Sequence, residues 1–573
     1  MRLALAQINP TVGDISGNTE LVIAGIEAAR KAGADLVVFP ELCISGYPPK
    51  DLLSQDGFVS ACAAAAKRIG ENHTAGLTAI IGCPLPADSD DPSAGLANSL
   101  VAYRDNAFVD YHDKRLLPTY DVFDENRYFE PGDRTVVIDV AGAMVGLAIC
   151  EDLWKGEDTG FSSRYRDRAD PMAELARAGA QIVVAPSASP FVLNKGKRHH
   201  ELLERHAREH DLFVASVNQV GGNDDLVFEG HSTVHAPGGG VIAGGKGFEP
   251  DLVVCDLDLT GGSADVERID DPRLIAPAEE LVYDALVLGV RDYLGKTGFK
   301  RAAIGLSGGI DSALCAVIAA GALGADNVTG VAMPGKYSSD HSVSDAVDLA
   351  KRLGIRCSVV PIASPFDGFR GVLDGMFGGL DMRALGAELP DLTEENLQSR
   401  VRGTIMMALS NRSGALVLTT GNKSETAVGY CTLYGDMNGG LAVLSDVSKL
   451  LVYRLSRWVN EHYRRCGFGE VPIPISTIEK PPSAELAPDQ KDSDSLPEYE
   501  VLDEIIERHV EGRQGTSAIV AATGFDAETV TRVVRLIAVN EYKRKQLAVG
   551  LKVTSVAFGQ GRRMPIAQRW RSR

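Results

Sequence analysis

The clearest chemical signal in the chain is a glycine-rich turn between a predicted strand and a predicted helix. The strand in RAAIGLSGGIDSALC ends at Leu306, and the helix begins near Ile310. Glycines let a phosphate approach the backbone, and a helix N-terminus offers free N–H groups to an anion. Asp311 would repel a phosphate unless a divalent cation lay between them. Because the lysine of a Walker loop is missing, the turn predicts a phosphate site of another kind, with an ordinary ligand-free turn as the alternative.

A second candidate site consists of three residues that each follow a predicted strand. The segments VVFPE, YHDK and GLAIC end at Glu41, Lys114 and Cys150. A nearby ammonium lowers the pKa of a thiol, and a carboxylate can take the thiol proton. An ammonium also stabilises an oxyanion. We therefore expect the three residues at the loop-bearing edge of one α/β layer. Taken singly, each is more often an inert packing cysteine or a solvated surface charge.

The elements that must position these residues form two α/β series. In residues 1–260, strands alternate with amphipathic helices, which predicts two sheets covered by helices on their outer faces. Residues 261–280 are rich in glycine, proline and charge, and they are predicted to be a linker. Residues 281–573 contain a second series that predicts a doubly wound parallel sheet. Residues 473–499 are dense in proline and acidic residues, and they predict an exposed loop that serves as a lid.

The composition excludes several classes of protein. The 573 residues include 58 Lys and Arg against 77 Asp and Glu, so the net charge is −19. Such an acidic surface opposes binding to nucleic acid or anionic lipid. The nine cysteines contain no CxxC pair, which argues against a zinc ribbon or a redox pair. No signal-peptide core and no apolar run of roughly 18 residues is found, so we expect a cytoplasmic enzyme without a membrane partner.

The second series also resembles a known family. SGGIDS resembles the loop of the PP-loop ATP pyrophosphatases, and LTTGNKSETAVGYCTLYGD, PPSAELAPDQ and EYKRKQ resemble NAD synthetase, within a likeness that spans most of residues 285–566. The resemblance implies Mg²⁺ as the cofactor, bound with ATP by Asp311 and Glu425. It implies ATP binding by Gly305, Leu306, Ser307, Gly308, Gly309, Ile310, Asp311, Ser312 and Thr420. It implies binding of nicotinic acid adenine dinucleotide (deamido-NAD) by Asn396, Glu425, Tyr430, Cys431, Thr432, Leu433 and Lys543.

The first series resembles the nitrilase superfamily over nearly all of residues 1–260. The segments that carry this likeness are FPELCISGY, HDKRLLPTYDVFDENRYFEPG and ICEDLW. The resemblance implies an αββα sandwich that hydrolyses amides, with Glu41 as general base, Lys114 stabilising the intermediate and Cys150 as nucleophile. It implies a glutamine pocket formed by Tyr120, Glu125, Glu151, Trp154, Ser189 and Lys195.

Together the two resemblances imply a single carbon–nitrogen ligase. Glutamine would supply ammonia through Cys150, and ATP would adenylylate the nicotinate carboxylate of deamido-NAD. The products would be NAD, AMP, pyrophosphate and glutamate. The resemblance also implies a homo-oligomer, at least a dimer, with rings as large as an octamer open.

Other activities remain as alternatives. The strongest is a nitrilase-family amidase whose second domain binds a nucleotide only as a regulator. GMP synthetase and asparagine synthetase also combine glutamine hydrolysis with a PP-loop, but their glutaminases have other folds, and this chain lacks both a Cys at residue 2 and a GxCxG elbow. A tRNA-modifying PP-loop enzyme is disfavoured by the net charge of −19 and by the missing CxxC.

Overall fold

The chain divides into two structural units, Met1–Ala278 and Glu279–Arg573. The computed structural model describes residues 1–87, 95–157, 165–259, 268–377, 392–488 and 490–570. Among these residues, no helix has the length and apolar character that a membrane span requires.

The first unit contains fourteen described strands. In chain order they are β1 (Arg2–Gln7), β2 (Leu36–Val38), β3 (Thr78–Pro86), β4 (Leu96–Arg104), β5 (Ala107–Asp113), β6 (Val137–Val140), β7 (Ala143–Leu147), β8 (Ile182–Ser187), β9 (Phe213–Asn218), β10 (Val220–Asn223), β11 (Leu226–Glu229), β12 (Thr233–His235), β13 (Val241–Gly244) and β14 (Asp251–Asp256). One six-stranded sheet has the order β14-β1-β2-β3-β4-β5, and the other has the order β13-β12-β9-β8-β7-β6. β10 and β11 form a separate hairpin.

Helices cover the outer faces of these sheets. They are α1 (Ile15–Lys31), α2 (Phe58–His73), α3 (Pro171–Arg177), α4 (Lys195–His210) and α5 (Pro272–Ile275), and there are 3-10 turns at Lys50–Ser54, Glu125–Arg127 and Cys150–Leu153. Alternate residues of a strand face opposite sides of a sheet. Along β1, Leu5 lies in one buried cluster with Leu147 of the other sheet, whereas Ala6 lies in another cluster with Val22 of α1. The predicted αββα sandwich is confirmed.

The second unit is built on a single parallel sheet. Its strands are β15 (Ala302–Gly305), β16 (Val328–Ala332), β17 (Arg356–Val359), β18 (Leu416–Thr419), β19 (Leu441–Ala442) and β20 (Val549–Gly550). The sheet order is β17-β16-β15-β18-β19-β20, and every neighbouring pair is parallel. This order reverses direction between β15 and β18, which is where ligands bind in doubly wound sheets. The predicted doubly wound fold is therefore also confirmed.

The helices of the second unit continue the numbering. They are α6 (Ala278–Thr297), α7 (Ile310–Leu323), α8 (Asp340–Leu353), α9 (Ala363–Phe377), α10 (Leu392–Ser413), α11 (Lys423–Val428), α12 (Lys449–Glu461), α13 (Ile475–Glu479), α14 (Tyr499–Ile506), α15 (Thr516–Thr523), α16 (Ala527–Val539) and α17 (Glu541–Arg544). The segment 473–499, predicted to be a loop, contains α13 and a 3-10 turn at Asp492–Asp494. Part of it borders a cavity beside the glycine-rich turn, as described below.

Candidate active sites

A buried lysine lies between two carboxylates at the first candidate site. Lys114 Nζ donates to Glu41 Oε1 at 2.6 Å and to Glu125 Oε1 at 2.8 Å. All three side chains are buried. Burial alone would lower the pKa of Lys114, but Glu125 and Glu41 outweigh it and hold that pKa well above its usual range. The ammonium is therefore a fixed positive charge.

Glu41 is aimed by donors that the sequence did not reveal. Asn98 Nδ2 donates to Glu41 Oε1 at 2.7 Å, and the Ala188 N–H donates to Oε2 at 3.0 Å. Asn98 belongs to β4 of the first sheet, and Ala188 follows β8 of the second. These donors, together with Lys114, leave the Glu41 carboxylate one defined orientation. No local sequence signal marks either donor, because both act across long chain separations.

Cys150 begins the 3-10 turn Cys150–Leu153 with its backbone in the left-handed region, at φ 41°. For a non-glycine residue that conformation is unfavourable in free energy, and such strain is concentrated at functional sites. The side chain is nearly buried, with 7% of the residue exposed. Burial first and Glu41 second raise the pKa of the Cys150 thiol, whereas Lys114 lowers it. The thiol is protonated at rest and needs a base to become a nucleophile.

The predicted placement of these three residues in one layer is wrong. Glu41 follows β2 and Lys114 follows β5, both in the first sheet, whereas Cys150 follows β7 in the second sheet. The two sheets pack face to face through one core, so the strand ends of both contribute to a single site. Strand-end positions are visible in the sequence, but sheet membership depends on long-range pairing.

Asp152 connects the segment that follows Lys114 to the turn that begins at Cys150. Its Oδ1 accepts from the N–H groups of Arg115 at 3.0 Å and Leu116 at 2.9 Å. Its Oδ2 accepts from the Ile149 N–H at 2.9 Å and lies 3.3 Å from His112 Nε2. A fully buried carboxylate thus holds the backbone beside both Lys114 and Cys150. Asp152 was not among the residues predicted from the sequence.

Two tyrosines hold Glu151, the residue after the nucleophile. The Tyr120 hydroxyl donates to Glu151 Oε2 at 3.0 Å, and the Tyr165 hydroxyl donates to Oε1 at 3.1 Å. Burial raises the pKa of Glu151 to about 7. Tyr120 and Glu151 are predicted glutamine contacts that the structure brings together, whereas Tyr165 was not predicted.

The other predicted glutamine contacts have different surroundings. Lys195 Nζ donates to Ser189 Oγ at 2.6 Å. The Tyr47 hydroxyl donates to Glu125 Oε1 at 2.7 Å, and the second oxygen of Glu125 is buried with no hydrogen-bond partner among the described residues. Burial raises the pKa of Glu125 to about 7. Trp154 is 8% exposed and packs in the apolar cluster between α4 and the second sheet.

The glycine-rich turn of the second unit follows β15 at the point where the strand order reverses. Gly308 has φ 77°, and a Cβ there would lie 2.3 Å from the backbone oxygen of Ser342. Ser307 Oγ lies 3.1 Å from Ser312 Oγ and accepts from the Gly309 N–H at 3.2 Å. The two hydroxyls and α7 thus shape a closed turn that requires glycine.

A lysine that was not predicted joins the two predicted metal ligands. Lys449 Nζ donates to Asp311 Oδ2 at 2.5 Å and to Glu425 Oε1 at 3.4 Å. Asn422 Nδ2 donates to Asp311 Oδ1 at 2.8 Å. Burial raises the pKa of Glu425 to about 8, with Lys449 opposing that rise and Asp311 adding to it. Asp311 and Glu425 offer two adjacent carboxylate ligands of the kind that Mg²⁺ prefers, and Lys449 pairs with the same two carboxylates.

These groups surround a cavity of about 300 Å³. The predicted residues that line it are Gly305, Leu306, Ser307, Gly309, Ile310, Asp311, Ser312, Thr420, Glu425, Tyr430 and Cys431. Residues 480–486, from the predicted lid, also line it. Gly308 is not among the described lining residues, because it packs against Ser342.

The remaining predicted dinucleotide contacts have hydrogen bonds of other kinds. Thr432 Oγ1 donates to Asn396 Oδ1 at 2.8 Å, and the Leu433 carbonyl accepts from Arg400. Lys543 Nζ donates to the carbonyl oxygens of Gly429 and Cys431 at 2.7 and 2.8 Å. The described residues that line the cavity do not include Asn396, Thr432, Leu433 or Lys543. Their role in binding the dinucleotide stays a prediction.

Comparison with known proteins identifies both halves of the chain. Residues 2–264 match the carbon-nitrogen hydrolase family, and residues 282–547 match the NAD synthase family. The chain is 43% identical to a glutamine-dependent NAD(+) synthetase of Synechocystis sp. over 99% of this chain and 98% of that protein. It is 40% identical to the protein of that name from Thermotoga maritima over 100% and 99% of the two chains.

Solved structures agree with this assignment. The structure of glutamine-dependent NAD+ synthetase from Acinetobacter baumannii in complex with ADP is 36% identical, with a TM-score of 0.75 over 100% of this chain and 99% of that one. A structure from Cytophaga hutchinsonii, 22% identical with a TM-score of 0.81 over 99% and 98% of the two chains, shares the fold. The likeness covers both units over nearly the full length of these relatives, and the chain belongs to the glutamine-dependent NAD(+) synthetase family.

Proposed function

We propose that this chain converts deamido-NAD to NAD with ammonia from glutamine and energy from ATP. The observation that carries the proposal is the presence of two complete constellations in one chain. One is the buried Glu41–Lys114 pair with Cys150, and the other is the glycine-rich turn with Asp311 and Glu425. Family membership joins them into a single ligase reaction.

In the first unit, Glu41 acts as the proton carrier. It takes the Cys150 thiol proton as Sγ bonds to the amide carbon of glutamine, and the carbonyl becomes an oxyanion near the Lys114 ammonium. Glu41 then gives the proton to the amide nitrogen, the C–N bond breaks and ammonia leaves. Water next attacks the thioester carbon and gives a proton to Glu41. The C–S bond breaks, Glu41 returns that proton to Cys150 Sγ, and glutamate is released. The Asn98 and Ala188 donors keep Glu41 oriented through both halves.

The glutamine pocket is proposed to consist of Tyr120, Glu125, Glu151, Trp154, Ser189 and Lys195. Glu151 and Lys195 carry the opposite charges that the α-amino and α-carboxylate groups of glutamine require. The Tyr120–Glu151 and Lys195–Ser189 hydrogen bonds support this pairing of roles, because each orients a polar group that a zwitterion needs.

In the second unit, the turn 307–312 binds the phosphates of ATP. An oxygen of the nicotinate carboxylate bonds to the α-phosphorus, and the bond to the β-phosphate breaks. Ammonia then attacks the activated carbonyl carbon, AMP leaves, and loss of a proton gives the amide of NAD. Asp311 and Glu425 would hold Mg²⁺, which offsets charge on the departing pyrophosphate. Lys449 adds a permanent positive charge at the same turn.

Dinucleotide binding and assembly complete the proposal. Four predicted residues support the deamido-NAD site by fixing the backbone around Tyr430 and Cys431, which line the cavity. They are Asn396, Thr432, Leu433 and Lys543.

We expect a homo-oligomer of at least two chains. We also place the enzyme in the cytoplasm, since all nine cysteines are free thiols, as a reducing compartment maintains them. Sedimentation and cell fractionation test these two points.

The central experiment compares wild type with Cys150→Ala. NAD formation is followed from deamido-NAD and Mg-ATP, with either glutamine or ammonium chloride as nitrogen source. We expect wild type to use both sources and the variant to use ammonium alone, because only the glutamine reaction needs the thiol. If folded wild type hydrolyses glutamine but releases neither NAD nor pyrophosphate, the nucleotide-regulated amidase takes the place of this proposal.

A further inference from the structure

The segment that leads from the first unit into the second ends in a buried clamp on α4. Arg273 Nε donates to both oxygens of Asp271, at 2.9 and 3.1 Å, and the two side chains are 3% and 0% exposed. Asp271 Oδ2 lies 2.9 Å from His200 Nδ1, and Arg273 Nη1 lies 2.7 Å from His199 Nδ1. The clamp therefore holds two consecutive residues of α4.

The close approach of Arg273 to α4 depends on a glycine. A Cβ on Gly196 would lie 3.1 Å from the Cβ of Arg273. Gly196, His199 and His200 share one face of α4 because they are three and four residues apart. That face receives the segment that carries the clamp.

The contact with Arg273 fixes the tautomer of His199. A guanidinium only donates, so His199 Nδ1 accepts and the proton of the neutral ring is on Nε2. Burial first and Arg273 second hold the pKa of His199 well below its usual range, which keeps the ring neutral. A neutral ring with a fixed orientation is a suitable surface for aromatic stacking.

His199 connects the clamp to the turn Cys150–Leu153, which carries the nucleophile. Its ring stacks on Trp154, with centroids 5.9 Å apart and planes 9° apart. The Trp154 N–H donates to the Glu151 carbonyl at 2.8 Å, so Trp154 closes the turn that begins at Cys150. The contacts form a continuous path from Arg273 through His199 and Trp154 to the reacting thiol. Arg273 and His199 are not among the proposed glutamine contacts, whereas Trp154 is.

We propose that Arg273 is a positioning residue for glutamine hydrolysis, acting through His199 and Trp154 on the turn that carries Cys150. This inference rests on the proposed function and deepens its glutaminase half. It places control of the nucleophile on the stretch of chain that connects the two units in sequence. Loss of the clamp allows the turn to move, and small displacements of a nucleophile are costly in rate.

The same cluster has the composition of a metal site, but its charges favour the clamp. His200, His235 and Asp271 bring their ligand atoms within 4.8 Å of one another, and both ring nitrogens of the buried His235 have no hydrogen-bond partner among the described residues. However, the Arg273 guanidinium already occupies both oxygens of Asp271. A divalent cation would share that carboxylate with a permanent positive charge, which opposes its binding.

The test uses the full-length enzyme and the variants Arg273→Ala, His199→Phe and their combination. Phenylalanine keeps an aromatic ring over Trp154 but removes the acceptor for Arg273. Each single variant is expected to lower kcat for glutamate release about tenfold, with a smaller change in KM. Because both act on one path, the double variant is expected to be no slower than either single variant.

Two controls separate positioning from general damage. Arg268→Ala removes an exposed arginine of the same segment and should leave glutamate release unchanged. NAD formation from ammonium chloride should be unchanged in every variant, since the second unit is not altered. If wild type forms no NAD from ammonium, the proposed function fails, whereas glutamate release still tests the clamp.

Three results would overturn the clamp. The first is full glutaminase activity in Arg273→Ala, and the second is additive losses in the double variant. The third is stoichiometric zinc in the purified wild type, measured by mass spectrometry, which would assign the cluster to a metal. If Arg273→Ala does not fold, His199→Phe alone decides, because a normal kcat in that variant contradicts the path.

Discussion

At the scale of single residues, the two carboxylates beside the nucleophile have unusual protonation. Burial raises the pKa values of Glu125 and Glu151 to about 7, so both change charge near neutral pH. Glu151 must be anionic to hold the α-amino group of glutamine in the proposed pocket. Protonation below about pH 7 should therefore weaken glutamine capture.

Tyr165→Phe tests which of these carboxylates controls the pH profile. The Tyr165 hydroxyl bonds Glu151 and lowers its pKa, so its removal should raise that pKa further. We expect the acidic limb of kcat/KM for glutamine to move upward by roughly 0.5 to 1 in pH, the equivalent of one hydrogen bond. The measurement is the pH profile of glutamate release between pH 5.5 and 9.

The matched control for that measurement is Tyr128→Phe. Its hydroxyl donates to Asp51 Oδ1 at 2.7 Å, and within the described part of the chain it bonds neither Glu125 nor Glu151. Its profile should coincide with that of wild type. An unmoved limb in Tyr165→Phe would assign the titration to Glu125 instead.

At the scale of elements, Asp152 joins the segment after β5 to the turn after β7. Asp152→Ala leaves three backbone N–H groups without their acceptor in a buried environment. We expect a loss of at least about 3 kcal/mol in the free energy of unfolding of the first unit, since each buried unsatisfied group costs about 1–3 kcal/mol. Thermal denaturation, combined with assays of glutamate release, measures both consequences.

Asp14→Ala is the comparison for this loss. Asp14 is an exposed N-cap of α1 that accepts one bond, from the Gly17 N–H at 2.9 Å. Its removal should cost about 1 kcal/mol and leave glutaminase activity intact. Equal effects of the two substitutions would contradict the pinning role of Asp152.

The phosphate turn gives a second prediction at this scale. Gly308→Ala places a Cβ 2.3 Å from the Ser342 carbonyl oxygen, so the turn or α8 must shift. We expect NAD formation from either nitrogen source to fall by at least about tenfold, because the phosphate-binding groups lose their alignment. Glutamate release should continue, since it takes place in the other unit.

Gly354→Ala isolates the backbone strain from the clash. Gly354 ends α8 at φ 69°, but a Cβ there would lie 3.8 Å from its nearest neighbour. Both substitutions carry the left-handed penalty of about 1–2 kcal/mol, so both should lower the melting temperature. Only Gly308→Ala should lose synthetase activity, and a comparable loss in Gly354→Ala would show that strain alone is responsible.

At the scale of the whole molecule, two chemistries with different requirements share one chain. The first site uses a thiol, a carboxylate and an ammonium, whereas the second combines Asp311, Glu425 and Lys449 around the phosphate turn. Chelation of divalent cations with EDTA should abolish NAD formation from both glutamine and ammonium. Glutamate release should persist, because no proposed step at Cys150 needs a metal.

Asp311→Asn sharpens the chelation experiment. It removes one carboxylate from the proposed Mg²⁺ site, so half-maximal NAD formation should require more Mg²⁺ than in wild type. Both reactions are measured in a Mg²⁺ titration of each enzyme. NAD formation that is insensitive to EDTA in wild type would contradict the metal assignment.

The sequence by itself determined the features that depend on neighbouring residues. The phosphate turn lies within residues 305–312, so its glycines, hydroxyls and Asp311 are adjacent whatever the rest of the chain does. Strand and helix periodicity likewise predicted both fold classes, since burial of one face requires that pattern. The strand ends carrying Glu41, Lys114 and Cys150 were visible for the same reason.

Only the tertiary structure decided which groups surround those residues. Asn98 reaches Glu41 from 57 positions away, Asp152 reaches the segment after Lys114 from 37, and Lys449 reaches Asp311 from 138. The assignment of Cys150 to a second sheet has the same origin, because strand pairing is set by burial over the whole unit. Such contacts have no fixed sequence spacing that could predict them, because the chain between the two partners can vary without changing the packed geometry.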